Sequence, residues 1–422
     1  MACQGKPTLQ ASELFFSFWQ AGFECSTHKL RSGKRLDLVH STRHDELVDL
    51  DYARLRPLGI RTVREGLRWH RIEATPHEFD FSTVVPFLEA AERYGIQIVW
   101  DLMHFGWPDH IDVFETRFPY ALEELAHHFA SFLEARGIQD CIIAPVNEIS
   151  FTAWAAGETG YMNPFALNRG SELKRRLATA AIRASKAVRA ILPNARLLAP
   201  EPVIHIRPLS FLSQDAVAAE QARVAMYEAW DMLAGRLAPE LGGAPELLDI
   251  LGVNYYDRNQ WWHKGETIRY HEPQYRPFSD ILQEIHARYS RPIVISETGT
   301  EGDERAPWLA YIAGQVRHAI AAGVPVEGIC LYPILNHPGW DDDRHCPNGL
   351  WDYAGPDDDR AIYQPLADEI IRNRDLLKDQ YELPALQTTR SYLPFAPSLE
   401  LRVSTASALD EPLCTQPAGV FF

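Results

Sequence analysis

Eight short apolar runs rich in β-forming residues punctuate the chain, at 14–24, 59–67, 96–103, 141–148, 195–204, 250–256, 292–299 and 326–335. Between them lie longer stretches of helical period. Leu122, Leu125, Phe129 and Phe132 recur on one helix face, as do Leu177, Ala181, Ala184, Val188 and Ile191. Gly stands between helix and next run in Leu58-Gly59-Ile60, Tyr94-Gly95-Ile96 and Arg136-Gly137-Ile138, where a left-handed helix end favours a residue without Cβ. Strand then helix, repeated eight times, predicts a parallel sheet closed on itself: an α/β chain folded as a single (β/α)8 TIM barrel with long βα loops.

A chain of 422 residues has room for one large barrel or for two ordinary domains. The repeat favours one barrel over 1–383. Beyond it, 384–422 carries Pro384, Pro394, Pro397, Pro412 and Pro417 with little helical period, which reads as an extended C-terminal tail, packed on the barrel or partly mobile. The segment 336–360 is a long Gly-, Pro- and Asp-rich loop after the eighth run, and long loops in compact barrels are usually functional.

Charge narrows the choice of ligand. With 57 acidic against 41 basic residues the formal net charge is −16, which disfavours nucleic acid and anionic membrane, since both require a basic footprint. Six scattered cysteines form no C-x-x-C pair and read as reduced and structural. The first residues, MACQGKPTLQ, lack a basic stretch followed by an apolar one, and no segment matches a membrane span, so the expected compartment is the cytoplasm. A metal-dependent barrel would carry clustered His and Asp at its strand ends, whereas run one supplies Phe18, Gln20 and Glu24; neither metal nor cofactor is expected.

Barrel active sites lie at the C-terminal ends of the strands, so polar residues closing an apolar run are the candidates. These are Glu24, Arg64, Asp101 with His104, Asn147 with Glu148, Asn254 to Tyr256, Ser296 to Thr298, and Tyr332 leading to Asn336 and Trp340. A carboxylate inside a barrel is costly unless paired or used. Glu148 and Glu297 close runs four and seven. Two glutamates facing one cavity meet the need of glycoside hydrolysis, in which one acid protonates the leaving oxygen and the other attacks the anomeric carbon.

The same residues resemble glycoside hydrolase family 1, the retaining (β/α)8 β-glycosidases with a glutamate on each of strands four and seven. The resemblance spans most of residues 14 to 375. Asn147-Glu148-Ile149 is similar to the family's N-E-P, implying Glu148 as general acid/base and Asn147 as donor to the sugar 2-hydroxyl. Ser296-Glu297-Thr298-Gly299 is similar to T-E-N-G, implying Glu297 as nucleophile. Val63-Arg64-Glu65-Gly66-Leu67-Arg68-Trp69-His70-Arg71-Ile72 resembles Y-R-F-S-I-S-W-S-R-I, which gives Arg64 the contact to the nucleophile. Glu24, His104, Asn254 and Tyr256 fall in the segments resembling those that bind the sugar, and Trp340 falls at the platform tryptophan. Two positions depart from the pattern: Glu24 stands where the family has Gln, and Gly339 where it has the Glu that binds the 4- and 6-hydroxyls.

The resemblance implies a cofactor-free retaining β-glycosidase acting on a carbohydrate or glycoside. In that mechanism Arg64 and Tyr256 support the Glu297 charge, and the field of Glu297 about 5 Å away keeps Glu148 protonated. A transglycosylase with the same site and a non-catalytic sugar-binding barrel are the alternatives.

Overall fold

The structure, a computed structural model, describes residues 9–10, 14–210, 212–378 and 381–382. Each of the eight apolar runs supplies one parallel strand: β1 (Trp19–Gly22), β2 (Thr62–Gly66), β3 (Gln97–Asp101), β4 (Ile142–Ala144), β5 (Arg196–Pro202), β6 (Ile250–Asn254), β7 (Ile293–Thr298) and β8 (Val326–Leu331). Every strand pairs with its neighbours in chain order, and β8 returns to β1, closing the barrel. The (β/α)8 fold read from the repeat is the fold observed. The expected tail over 384–422 and the boundary at 383 lie outside the described residues.

Helices coat the barrel: α1 (His44–Leu55), α2 (Val85–Tyr94), α3 (Phe118–Glu134), α4 (Gly170–Ile191), α5 (Ser213–Val224), α6 (Glu228–Leu233), α7 (Phe278–Tyr289), α8 (Arg305–Ala321) and α9 (Gln364–Lys378). The apolar stripes seen in the sequence are their inner faces, with Leu122, Leu125 and Phe129 of α3 and Leu177, Ala181 and Val188 of α4 all buried. At the end of α2, Gly95 (φ 64) lets its own N–H turn back to the Ala91 and Glu92 carbonyls, a backbone form that a β-carbon would strain.

Strand alternation sorts side chains between two cores. Val99, Ile142, Ala144, Leu198, Ile250 and Val294 fill the barrel interior, with Phe15 closing its floor, while the intervening residues meet the helices. Above that floor the inward positions turn polar: Asp101, Asn254 and Ser296 follow Val99, Gly252 and Val294 by two, and Arg64 follows Thr62 by two. The change from apolar to polar along the same face is what gathers the polar side chains at one end.

The loop after β8 folds into two short hairpins, His337–Pro338 with His345–Cys346 and Trp351–Ala354 with Arg360–Ile362. Arg360 anchors the second to α1 through Asp51 at 2.7 Å and the Thr42 carbonyl at 2.8 Å.

Candidate active site

Glu297 reaches the barrel interior because β7 carries one extra residue. Val294 pairs with Gly252 and Glu297 with Asn254, so β7 advances three residues while β6 advances two. Strict alternation from inward Val294 would turn Glu297 toward the helices; the bulge returns it to the cavity, and Thr298 instead meets Trp308 of α8 at 2.9 Å. Glu148 arrives by a different route. It lies beyond the end of β4 in a left-handed conformation (φ 48, ψ 63), with its N–H donated to the Pro200 carbonyl of β5 at 3.0 Å. The preceding N–H, of Asn147, is donated to the Met103 carbonyl at 2.9 Å.

Arg64 is the hub between them. Its Nη1 donates to Glu297 Oε1 at 2.7 Å, its Nε and Nη2 grip Asp101 at 3.0 and 2.7 Å, and Nη2 also reaches Asn147 Oδ1 at 2.7 Å. Burial opposes the Asp101 charge, but the Arg64 guanidinium and His104 together outweigh it and hold Asp101 below the usual carboxylate range. The second oxygen of Glu297 accepts from the Tyr256 hydroxyl at 2.8 Å. Burial and the Glu297 carboxylate push the Tyr256 phenol well above its ordinary value, so it stays a donor.

Glu148 has a poorer set of donors. Asn254 Nδ2 gives it one hydrogen bond at 2.9 Å, and Ser296 orients that amide by donating its hydroxyl to Asn254 Oδ1 at 2.6 Å. Burial, reinforced by the Glu297 charge, raises the Glu148 carboxyl to about 8 despite the Asn254 hydrogen bond. The two carboxyl groups therefore sit in opposite environments: one held by a guanidinium and a phenol, one buried with a single amide.

The orientation of Asn147 follows from its oxygen accepting from Arg64, which leaves its Nδ2 to donate to His104 Nε2 at 3.2 Å. His104 Nδ1 donates to Asp101 Oδ2 at 2.8 Å. Its ring stacks on Tyr332, centroids 5.7 Å apart. Gly22 makes room for that tyrosine, since a side chain there would run into the ring.

Seven of the nine residues to which the sequence gives a role thus share one hydrogen-bonded network: Arg64, His104, Asn147, Glu148, Asn254, Tyr256 and Glu297. Glu24 and Trp340 stand at its edge. Buried Glu24 accepts both the backbone N–H (2.9 Å) and the hydroxyl of Ser26 on the same oxygen. Trp340 is half-buried, edge-on to His28 and to Phe105. Beside Gly339, the charges of 341–345 tie neighbouring loops together: Asp343 with Lys34, Asp341 with Tyr161, Arg344 with Glu301.

Sequence reasoning noted Asp101 and Tyr332 as strand ends without giving them a role, and passed over Glu201. Asp101 was open to the alternation argument, two positions beyond inward Val99. Among the described residues, Cys25, Asp101 and His104 form a buried group whose ligand atoms could gather round a metal ion. The bidentate grip of Arg64 on Asp101 places a cation there already.

The sequence matches no protein-family model and no curated protein. Solved structures do resemble the fold. The AHE enzyme from Alicyclobacillus herbarius superposes with a TM-score of 0.72 at 16% identity, over 88% of this chain and 100% of that one. The family 1 β-glucosidase from Thermotoga maritima gives 0.70 at 16% identity, over 88% and 99%, and its complex with glucoimidazole gives 0.69 at 16% over the same shares. At that identity the likeness establishes a glycosidase-like (β/α)8 fold. No helix among the described residues is long and apolar enough to cross a membrane.

Proposed function

We propose that this protein is a retaining β-glycosidase that hydrolyses a β-linked glycoside or short oligosaccharide by double displacement. The observation that carries the reading is the contrast between its two central glutamates, Glu297 held by Arg64 and Tyr256 and Glu148 raised to about 8. Two neighbouring carboxyl groups in such unlike surroundings divide the roles of acid and nucleophile. Glu297 attacks the anomeric carbon as Glu148 gives its proton to the leaving oxygen. Formation of the glycosyl–enzyme ester removes the negative charge that, after burial, most favoured the protonated form of Glu148, and Glu148 then accepts a proton from the incoming water.

Around that axis, Asn147 and His104 supply polar contacts for the ring hydroxyls and Trp340 an aromatic face. Glu24 adds a carboxylate where a neutral amide would bind hydroxyls without charge, so the glycone specificity is this chain's own. No metal or cofactor takes part in the proposed steps.

The test is a panel of aryl β-glycosides assayed with wild type, Glu148→Ala and Glu297→Ala. Glu297→Ala should lose turnover and, with azide, form the inverted α-glycosyl azide. Glu148→Ala with azide should form the β-anomer from substrates with activated leaving groups. Undiminished turnover by Glu297→Ala would sink the assignment.

A further inference from the structure

Glu201 is a buried carboxylate that the proposed chemistry does not use. It is only 1% exposed, at the end of β5, and alternation turns it away from the cavity toward the helix layer. Its two oxygens lie 3.1 and 3.4 Å from the Ser150 N–H, and the Ile149 N–H also points to it. These are the two amides that follow Glu148. The residue before Glu201, Pro200, accepts the Glu148 N–H itself. One dipeptide of β5 therefore clamps the backbone on both sides of Glu148, at the point where that residue is held in a left-handed conformation that a side chain disfavours.

We propose that Glu201 is a positioning residue for Glu148: its carboxylate fixes the turn that aims the Glu148 side chain into the barrel and sets a second negative charge behind it. The proposal rests on the acid/base reading of Glu148. The groups facing Glu148 come from four strands: Glu297 from β7, Asn254 and Tyr256 from the end of β6, His104 from beyond β3, and Glu201 from β5. Of these, Glu297 and Glu201 both raise the Glu148 carboxyl. Glu201 in turn faces the Ile149 and Ser150 amides and Lys174 of α4, itself held by Glu228 of α6 at 2.6 Å. Burial lifts Glu201 to about 7 against those donors, so its charge grows across the range in which Glu148 must keep its proton.

The experiment compares Glu201→Gln and Glu201→Ala with wild type on aryl β-glycosides of graded leaving-group ability, with circular dichroism to verify folding. Glu201→Gln keeps an oxygen for the Ser150 amide and removes the charge. Its alkaline limb of kcat/KM should move down by roughly one pH unit while turnover near pH 5 stays close to wild type. Glu201→Ala also removes the clamp, and should lose roughly 10- to 100-fold for poor leaving groups but little for dinitrophenyl glycosides, which need no acid. An unmoved alkaline limb in folded Glu201→Gln, or a loss in Glu201→Ala independent of the leaving group, overturns the proposal. Glu148→Gln in the same panel separates the two readings: full activity there on poor leaving groups removes the acid/base role itself, whereas its loss beside an unmoved Glu201→Gln profile removes only the role of Glu201.

Discussion

Arg64 donates to Glu297 at 2.7 Å from the same guanidinium that grips Asp101 through two nitrogens, all three groups being buried. One cation thus compensates two carboxylates. A planar fork spans both where the point charge of a lysine cannot. Arg64→Met should therefore lower the unfolding free energy by about 3–5 kcal/mol in urea titrations, because it leaves buried charges unpaired. Arg64→Lys should recover only part of that loss. Equal stability of wild type and Arg64→Met would show that the guanidinium is not the compensating charge.

Tyr256 makes the second hydrogen bond to Glu297, from a half-buried position whose ring can be kept. Tyr256→Phe should reduce kcat/KM on aryl glycosides roughly 10- to 100-fold, the worth of one hydrogen bond to a charged group, with unfolding free energy changed far less than in Arg64→Met. A variant as active as wild type would remove Tyr256 from the site.

The Glu148 carboxyl is raised from 4.5 to about 8, chiefly by burial and next by the charge of Glu297. An acid whose folded value lies above its unfolded one costs the fold stability as pH rises through the interval between them. Glu148→Gln should accordingly be more stable than wild type by on the order of 4 kcal/mol at pH 7.5, with the gap closing below pH 4.5. Denaturation at the two pH values checks it, and a gap of the same size at both would contradict it.

Outside the site, buried His44 lies between Asp51 at 2.8 Å and Glu65 at 3.0 Å. Burial opposes its charge, but Glu65 and Asp51 together outweigh it and raise the imidazole to about 9. The sign is opposite in origin though similar in outcome: this stabilising charge is complete below about pH 6.5 and fades as pH rises through 9. Wild type should lose on the order of 2–3 kcal/mol more than His44→Gln between pH 6.5 and 9. Parallel stability curves for the two proteins would refute it.

Glu24 is the buried departure from the resembled pattern, its carboxylate fixed by Ser26. Glu24→Gln should change the ratio of kcat/KM between glycones by about tenfold or more while leaving the alkaline limb in place. An unchanged ranking across a panel of aryl glycosides would remove Glu24 from sugar recognition.

Much of this is legible in the sequence. Every strand lies within an apolar run because burial between a packed interior and a coat of helices leaves little place for polar residues until the strand ends. The polar closures at Arg64, Asn147, Asn254 and Tyr256 followed from the same pattern. Glu201 did not: its run holds a carboxylate on the helix-facing side, and nothing local marks that it meets the first two amides of the short helix Ile149–Thr152 that follows β4. Trp340 stands out in the sequence, yet its half-buried, edge-on setting against His28 and Phe105 depends on where the loop after β8 folds back.

The sequence by itself determined the barrel and the end at which its polar residues gather, since periodicity and the switch from apolar to polar residues are local and additive along the chain. Only the tertiary structure decided which way the decisive groups face. Glu297 turns inward through one extra residue in β7, and Glu148 through a left-handed turn clamped by β5. A one-residue shift of register reverses a side chain, and that register is set by pairing with strands distant in sequence, which no local pattern records.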